Sequence, residues 1–298
     1  MTTSLATPDG ALRRPIDQTP SPRRRPRRVA AKAWAYIALT AGLVLMVFPF
    51  VWMFLGAFKT EGELRQRPLT VWPQNPTLEN FSELFARNDF FAYFANSIVV
   101  ALFVTLGNIL FCSMVGYALA KMRFRGRRLL FGLVIGMLMV PGVVTFVPQF
   151  VLVAKLGLVN TYPGLILPFL VTPIGVFLMR QFIGEQPDEL IEAARLDGAG
   201  EFRIFFRVIL PLCGPAIATL AILTFLGSWN NFLWPMVVSS TEDMYTLPVA
   251  LALFSIGQFG VNYGVLMAGA VVVVTPILIL FVFLQRYFTQ GISMTGIK

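Results

Sequence analysis

The chain contains no histidine, and this absence excludes whole classes of active site. A Ser-His-Asp triad needs an imidazole as its base, and the common zinc sites use imidazole ligands. The two cysteines, Cys112 and Cys213, lie inside or at the edge of apolar runs, where a small thiol is an ordinary packing residue. No disulfide framework can be argued from them. We therefore predict no catalytic residues and no metal site in this chain.

Two further motifs that would support chemistry are missing. No stretch matches G-x-x-x-x-G-K-[ST], the loop that cradles nucleotide phosphates. Glu192 and Asp197 stand five positions apart, which is about 140° around a helix, so they do not form a facing carboxylate pair. We expect no nucleotide or other cofactor to be bound by this chain.

Charged residues are scarce, at 13% of the chain against 56% hydrophobic residues, and the mean hydropathy is +0.72. Soluble domains contain roughly 25% charged residues. A helix needs roughly 20 apolar residues to cross a bilayer core of about 30 Å, because its backbone polar groups must be bonded within the segment. The composition therefore predicts a membrane protein.

Six apolar runs reach that length. The predicted membrane helices cover residues 33–58, 94–120, 129–153, 162–182, 212–237 and 264–286. The first run is longer than the apolar core of a cleaved signal, which is about 7–15 residues, so we keep it as a helix. The sequence predicts an all-α, polytopic protein with one transmembrane domain over residues 33–290.

Lysine and arginine are distributed unevenly between the segments that flank these runs. Residues 1–32 hold eight of them and the loop 121–128 holds five, whereas the segment 238–263 holds none. Cationic loops stay on the cytoplasmic side. Both termini are therefore predicted in the cytoplasm, together with the loops 121–128 and 183–211. The predicted outward loops are 59–93, 154–161 and 238–263.

Residues 1–32 differ in composition from the rest of the chain, because they are rich in Pro and Arg and include RRRPRR at 23–28. Such a segment cannot bury enough apolar surface to fold, and its charge suits anionic lipid headgroups. We predict a disordered cytoplasmic tail. Nucleic-acid binding is the alternative for a basic run, but the neighbouring membrane helix favours lipid. At the other end, residues 291–298 are predicted as a second cytoplasmic tail.

No Asp, Glu, Lys or Arg lies in the central part of a predicted span. Proton-coupled and ion-coupled carriers place ionisable groups there. The six helices also show no evident internal duplication, which disfavours a self-sufficient secondary carrier. The chain therefore needs a partner that supplies the driving force.

The densest charge lies in the loop 185–211. Asp188 and Glu189 favour the positive end of a helix and Arg195 its negative end. The apolar stripe of this first arm is formed by Pro187, Leu190, Ile191 and Ala194. Asp197-Gly198 breaks the helix, and a second stripe follows, formed by Phe202, Phe205, Phe206 and Ile209. Such a pair of helices either docks in a groove of another protein or folds against its own spans, and periodicity leaves both open.

This loop contains Glu-Ala-Ala at 192–194, Gly198 after three further residues, and Val-Ile-Leu-Pro at 208–211. The pattern resembles the EAA signature of permease subunits of binding-protein-dependent ABC importers. The resemblance covers residues 75–298 and includes YALAKMRFRGRR (117–128), LGLVNTYPGLIL (156–167) and WNNFLWP (229–235). Together these segments are similar to the carbohydrate-uptake branch, in particular to the second permease of maltose importers.

The resemblance implies the type I permease fold and a complex with a second permease, as a heterodimer, two ATPase subunits and an extracytoplasmic solute-binding protein. ATP and Mg²⁺ would be bound by the ATPases, so this chain would not itself be an enzyme. The loop 185–211 would carry the coupling helix, which docks in an ATPase cleft. The residues assigned to coupling are Glu192, Ala193, Ala194, Asp197, Gly198, Leu210 and Pro211.

A neutral, hydroxyl-rich solute needs hydrogen-bond partners and flat apolar faces on its pathway rather than fixed charge. The candidate pathway residues are Asn108, Gln149, Trp229, Asn230 and Asn231, with Thr172, Thr224 and Ser228 as further polar positions. The same residue types also link helices to one another. Trp229 equally suits an interfacial belt. These alternatives stay open.

The loop 238–263 carries Phe254, Gln258 and Phe259. It resembles the family's loop that reaches toward the docked binding protein, and these three residues are the candidate contacts. The alternative is a re-entrant turn that only caps the helices. Residues 76–93 are predicted to form an interfacial helix with a structural role.

The sequence therefore predicts the permease subunit of an ABC importer for a sugar or oligosaccharide, embedded in the plasma membrane. The alternative is an importer permease for another solute, such as glycerol phosphate or a peptide. A phosphorylated cargo would need Arg or Lys on the pathway, and none is visible in this subunit.

Overall fold

The computed structural model describes residues 26–86, 90–254 and 262–294, and the regular elements in these ranges are helices. The chain divides into two units between Phe50 and Val51, and the packing described below is that of the second unit. The helices in chain order are α1 (Pro26–Gly56), α2 (Glu61–Arg65), α3 (Glu79–Ala86), α4 (Phe90–Lys121), α5 (Arg127–Leu138), α6 (Gly142–Lys155), α7 (Tyr162–Ile166), α8 (Pro173–Gly184), α9 (Asp188–Leu196), α10 (Glu201–Ile204), α11 (Leu210–Leu212), α12 (Gly214–Trp229), α13 (Leu233–Val238), α14 (Leu247–Phe254) and α15 (Tyr263–Met294).

Helices extend into both of the predicted cytoplasmic tails, in the tail residues that the structure describes. Helix α1 begins at Pro26, so residues 26–32 are helical rather than part of a disordered tail. Proline suits the first turn of a helix, where its missing N–H costs nothing. Helix α15 continues to Met294, past the predicted start of the second tail. The remaining tail residues, 1–25 and 295–298, lie outside the described residues.

Three single helices among the described residues are long and apolar enough to cross a membrane: Lys32–Gly56 of α1, α4, and Tyr263–Phe283 of α15. Three bent pairs account for up to three more spans. The bends are 106° between α5 and α6, 45° between residues 162–169 and α8, and 82° between residues 201–212 and α12. When each pair counts as one span, the total is six.

The predicted span 129–153 is not one continuous helix, because the chain turns by 106° at residues 139–141. Pro141 explains the break. The residue before a proline is pushed out of the helical conformation, and Pro141 itself is extended and caps the start of α6. A helix restarts after it in a new direction.

The predicted span 212–237 is also interrupted, at residues 230–232. Asn230 ends α12, and its side-chain amide donates to the carbonyl of Leu226 at 3.0 Å. The Asn231 side-chain oxygen accepts a bond from the backbone N–H of Trp234 in the first turn of α13 at 3.3 Å. The two asparagines therefore satisfy backbone groups that the break leaves free.

Helix α4 is the centre of the second unit and packs against α8 and α12. A Cβ at Gly116 would lie 2.9 Å from both the Arg180 nitrogen and the Met179 Cβ, so only glycine allows α4 and α8 to approach this closely. The core next to this contact includes Ile191 and Ile204 of the loop 185–211. The loop 185–211 is therefore anchored in the core of the membrane domain through its apolar side chains.

The predicted interfacial helix over residues 76–93 is the shorter α3, Glu79–Ala86. Leu84 is buried whereas Leu78 is exposed. The buried Asn80 amide donates to the carbonyls of Ala57 at 2.8 Å and Lys59 at 2.7 Å. These contacts are those of a structural element that fixes the segment after α1.

Glu63 of α2 is a buried carboxylate in the same segment. It accepts bonds from the Thr70 hydroxyl at 2.7 Å and the Gln74 N–H at 3.0 Å, and the Lys59 ammonium lies 3.9 Å away. Burial by itself raises the pKa of Glu63, but these hydrogen bonds and the lysine charge outweigh it and lower the pKa. The charged form of Glu63 thus holds the segment together at neutral pH.

Replacing Glu63 with glutamine is expected to lower the thermal unfolding temperature of the detergent-solubilised protein at neutral pH, because Lys59 loses its buried anion. Because folding lowers the pKa of Glu63, its carboxylate stabilises the folded state at every pH above the unfolded pKa. This stabilisation is lost as the pH falls through the folded pKa. The difference between wild type and Glu63→Gln should therefore shrink on acidification. Glu79→Gln, at an exposed acid of α3, is the control. A difference that does not change with pH would contradict this role of the charged form.

Candidate functional site

Helix α9 forms the first arm of the predicted coupling loop, and its two sides differ. Ile191 is only 3% exposed, whereas Leu196 at the end of the helix is 90% exposed. Glu192 and Ala193 are exposed and Ala194 is half-buried. The predicted stripe thus reaches the core through Ile191 and Ala194. The opposite side presents Glu192, Ala193 and the unpredicted Leu196 to solvent.

Gly198 ends this helix in the left-handed conformation, with φ of +77°. The Gly198 N–H donates to the Arg195 carbonyl at 3.0 Å, and the Ala199 N–H donates to the Ala194 carbonyl at 2.9 Å. These two bonds form a Schellman motif, in which glycine adopts the required φ without steric cost. The predicted break at Asp197-Gly198 is confirmed, and both residues are exposed.

The second arm differs from its prediction. Phe205 and Ile209 are buried, but Phe202 and Phe206 are exposed, and Ile204 takes a buried position that the predicted stripe did not include. Residues Phe205–Ile209 form a π-helix, whose wider turn moves side chains off an α-helical stripe. The predicted coupling residues Leu210 and Pro211 follow, with Leu210 half-buried and Pro211 exposed.

Lys121, the last residue of α4, joins the start of the coupling loop. Its ammonium donates to Asp188 Oδ1 at 2.6 Å and to the Gln186 carbonyl at 2.6 Å. This hydrogen bond and the lysine charge lower the pKa of Asp188. The start of α9 is therefore attached to the end of α4 by a charge-assisted contact.

Tyr117 lies one turn earlier on α4 and makes a second polar contact with the loop. Its hydroxyl donates to Glu201 Oε2 at 2.7 Å. Glu201 Oε1 accepts from Arg195 Nε at 3.0 Å and from its terminal nitrogen at 2.8 Å. Both arms of the loop are thus tied to α4. The sequence pattern did not reveal these contacts, because the partners are far apart along the chain.

A cavity of about 250 Å³ lies between α4, residues 165–178 and α12–α13. None of its described lining residues is charged. Its polar lining residues are Thr172, Thr224, Ser228 and Asn231, and its aromatic ones are Phe169 and Trp234. Hydroxyl and amide groups beside aromatic faces suit an uncharged, hydroxyl-rich ligand.

Of the five predicted pathway residues, Asn231 lines this cavity. Asn108 is fully buried and its amide donates to the Phe169 carbonyl at 2.9 Å. Its oxygen lies 3.2 Å from both the Cys112 sulfur and the Thr172 hydroxyl. Asn108 therefore supports the break between residues 162–169 and α8, which is the alternative role of a link between helices.

Trp229 is buried among other aromatic residues, with 1% of its surface exposed. Its indole N–H donates to the Val273 carbonyl of α15 at 2.9 Å, and its ring stacks on Phe225. Trp229 is thus neither an interfacial belt residue nor a wall of the cavity. Asn230 is exposed and caps α12, and Gln149 is half-buried on α6, away from the cavity lining.

Phe254 ends α14 and is half-buried, with its ring centroid 6.4 Å from that of Tyr93. Gln258 and Phe259, the other two candidate contacts for a binding protein, lie outside the described residues. Among the residues that the structure describes, no three His, Cys, Asp or Glu side chains come close enough to hold a metal ion.

Over the residues that the structure describes, a helical membrane domain with a charged helix between two spans is the arrangement that the sequence resemblance implied. Residues 112–294 match the family described as the inner membrane component of binding-protein-dependent transport systems, and the chain belongs to this family. It is an integral inner membrane permease.

Three comparisons show how far the similarity extends. The arabinooligosaccharides transport system permease protein AraQ of Halalkalibacterium halodurans is 44% identical over 268 residues, 89% of this chain and 94% of that protein. The diacetylchitobiose uptake system permease protein NgcG of Streptomyces coelicolor is 34% identical over 270 residues, 90% of this chain and 88% of that protein. A chain from the crystal structure of a bacterial ABC transporter involved in import of the acidic polysaccharide alginate shares the fold, with a TM-score of 0.80 and 24% identity over 91% of this chain and 100% of that chain.

Proposed function

We propose that this permease carries an uncharged oligosaccharide across the inner membrane. The observation that carries the proposal is the cavity beside α4 and α12. It offers Thr172, Thr224, Ser228 and Asn231 as hydrogen-bond partners, and its described lining residues include no charged side chain. A saccharide has hydroxyl groups for such partners and apolar faces for aromatic rings. The two relatives whose names specify oligosaccharides support the same cargo class.

The driving force in this proposal comes from other subunits. A second permease completes the pathway, two ATPase subunits bind ATP and Mg²⁺, and a solute-binding protein delivers the cargo from outside. The chain itself binds no cofactor and catalyses no reaction. The absence of a phosphate-binding loop and of charged residues in the centres of the spans supports this division of roles.

Coupling to the ATPases is assigned to α9 and the turn that follows it. The side formed by Glu192, Ala193 and Leu196 is exposed and suits the groove of a partner protein, since small residues allow close approach and a leucine adds apolar contact. Ala194, Asp197 and Gly198 set the end and direction of this helix. Leu210 and Pro211 fix the return of the chain toward the membrane. Phe254, with Gln258 and Phe259, remains the proposed contact for the binding protein.

Cargo identity can be tested with the complete importer in proteoliposomes. ATP hydrolysis is measured with the binding protein and with neutral arabino-oligosaccharides, chito-oligosaccharides, acidic alginate oligosaccharides or glycerol phosphate. Stimulation by a neutral oligosaccharide is expected. Stimulation only by the phosphorylated or acidic ligands would refute the proposed cargo class.

The cavity itself can be tested by removing two of its hydroxyl groups. The double variant Thr224→Val/Ser228→Ala should raise the KM for uptake several-fold, because each lost hydrogen bond costs about 1 kcal/mol. Thr219→Val is the matched control, because the Thr219 hydroxyl donates to the Pro215 carbonyl on the same helix at 3.0 Å and does not line the cavity. An unchanged KM in the double variant would show that the cargo does not contact this cavity.

A further inference from the structure

Helix α4 connects the coupling loop with the cavity through side-chain contacts, whereas α8 and α12, which also line the cavity, are joined to the loop along the chain. Val100 and Val104 of α4 line the cavity, and Tyr117 and Lys121 of the same helix contact the loop. Lys121 follows Val104 by 17 positions, a distance of roughly 25 Å along the helix at 1.5 Å per residue. A displacement of α9 that is passed to the end of α4 therefore reaches the cavity wall through one rigid element.

The contact of Lys121 joins three elements at one point. The ammonium reaches Asp188 at the start of α9, the Gln186 carbonyl before it, and the Gly184 carbonyl at the end of α8 at 3.4 Å. The Lys121 side chain is only 5% exposed, whereas that of Asp188 is 73% exposed. A buried ammonium needs such acceptors, so Lys121 holds its position and determines where α9 begins.

Tyr117 fixes the other arm. Its buried hydroxyl donates to Glu201, and Glu201 in turn accepts two bonds from Arg195 near the end of α9. A closed chain of contacts therefore runs from α4 through α10 to α9. The two attachments, at Lys121 and at Tyr117, hold α9 at its first and last turns.

The second arm also packs against α4 through the rings of Phe205 and Tyr117, whose centroids are 5.6 Å apart. Ile204 and Ile209 bury the second arm on one side. On the other side a cavity of about 180 Å³ remains between α4 and the arm, with Tyr117 and Glu201 among its lining residues. Because this space is open on one side, the arm has room to move there. The Tyr117–Glu201 bond crosses this gap.

We infer that Tyr117 and Lys121 are positioning residues that pass the movement of α9 to α4 and so couple the ATPase cycle to the opening and closing of the cavity. The inference rests on the proposed function. It adds that the polar attachment of α9 to α4 depends on the Tyr117 hydroxyl and the Lys121 ammonium. Their loss separates ATP hydrolysis from the change at the cavity.

The test follows access to the cavity without any cargo. Ser228→Cys is labelled with a membrane-impermeant thiol reagent in the complete complex, with and without ATP and vanadate. Cys112 and Cys213 are both fully buried, so Ser228→Cys is the reactive thiol of this chain in the described cavity. In the otherwise wild-type protein, trapping with ATP and vanadate should change the labelling rate.

Tyr117→Phe and Lys121→Met, introduced separately and together, should retain ATP hydrolysis but reduce the change in labelling by at least about fivefold in the double variant. Lys121→Arg keeps the positive charge and should retain the change. Arg128→Met, at an exposed cation of the same cytoplasmic region, is the control and should behave like wild type.

The inference is wrong if the rate of ATP hydrolysis falls together with the change in labelling, because the two residues would then serve only assembly or folding. It is also wrong if neither changes. The readout uses ATP and vanadate alone. If no oligosaccharide stimulates ATP hydrolysis by the wild-type complex, the proposed cargo is refuted, but this test can still be carried out.

Discussion

Glu192→Lys is expected to abolish ATP-driven uptake while the permease still inserts in the membrane and keeps its fold. The Glu192 side chain is exposed on α9, so its replacement leaves the packing of the helix against the core in place. In a docked complex, reversing this charge would place a cation where the partner meets an anion. Disrupting such an interfacial charge pair costs about 2–5 kcal/mol, a loss of roughly 30-fold or more in association.

The measurements are uptake into proteoliposomes and the amount of ATPase that co-purifies with the permease. Glu185→Lys is the matched control, because it makes the same change of charge at an exposed residue of the same loop, before α9 begins. We expect this control to retain both properties. Normal uptake by Glu192→Lys would overturn the assignment of α9 as the coupling helix.

Gly164→Ala is expected to destabilise the permease strongly, although it adds only one methyl group. Gly164 is buried in α7, and a Cβ there would overlap the Leu158 carbonyl oxygen. A backbone atom cannot rotate away as a side chain can, so the loop and α7 must separate. The cost of such overpacking is about 3 kcal/mol. The Gly164 carbonyl also accepts the indole N–H of Trp234 at 3.2 Å, so the shift should reach the cavity wall.

The expected results are a lower thermal unfolding temperature in detergent and less folded permease in the membrane. Gly132→Ala in α5 is the control, because a Cβ at Gly132 meets no atom within 4 Å and alanine favours a helix. The unfolding temperature of Gly132→Ala should equal or slightly exceed that of the wild type. Equal unfolding temperatures for the two variants would contradict the overlap at Leu158.

The features that the sequence predicted correctly are local ones. Acids at the start of α9, arginine at its end and glycine after it lie within one short segment, and their effects act over a few residues. The length and charge of the apolar runs likewise predicted membrane spans without knowledge of their packing. Periodicity could not decide between docking and self-packing. The structure shows both arms packed against the core of the chain, and the docking of α9 that the family resemblance implies stays a prediction.

The features that the sequence did not predict depend on distant partners. Tyr117 and Glu201 are 84 positions apart, and Lys121 and Asp188 are 67 apart. Trp229 follows no pattern that distinguishes a buried aromatic residue from an interfacial one, and its partner is a carbonyl on α15. Pro141 was a local signal for the 106° bend, but the apolar run continues on both sides of it and concealed the break.

Leu196 has a consequence for how the importer is made in the cell. In the proposed complex the ATPase would cover this leucine, which is 90% exposed at the tip of α9. Covering it removes apolar area from water, which favours the assembled complex. Surplus permease would keep this tip available to proteases and to other exposed apolar surfaces. Production of the permease together with its ATPase would limit this exposure.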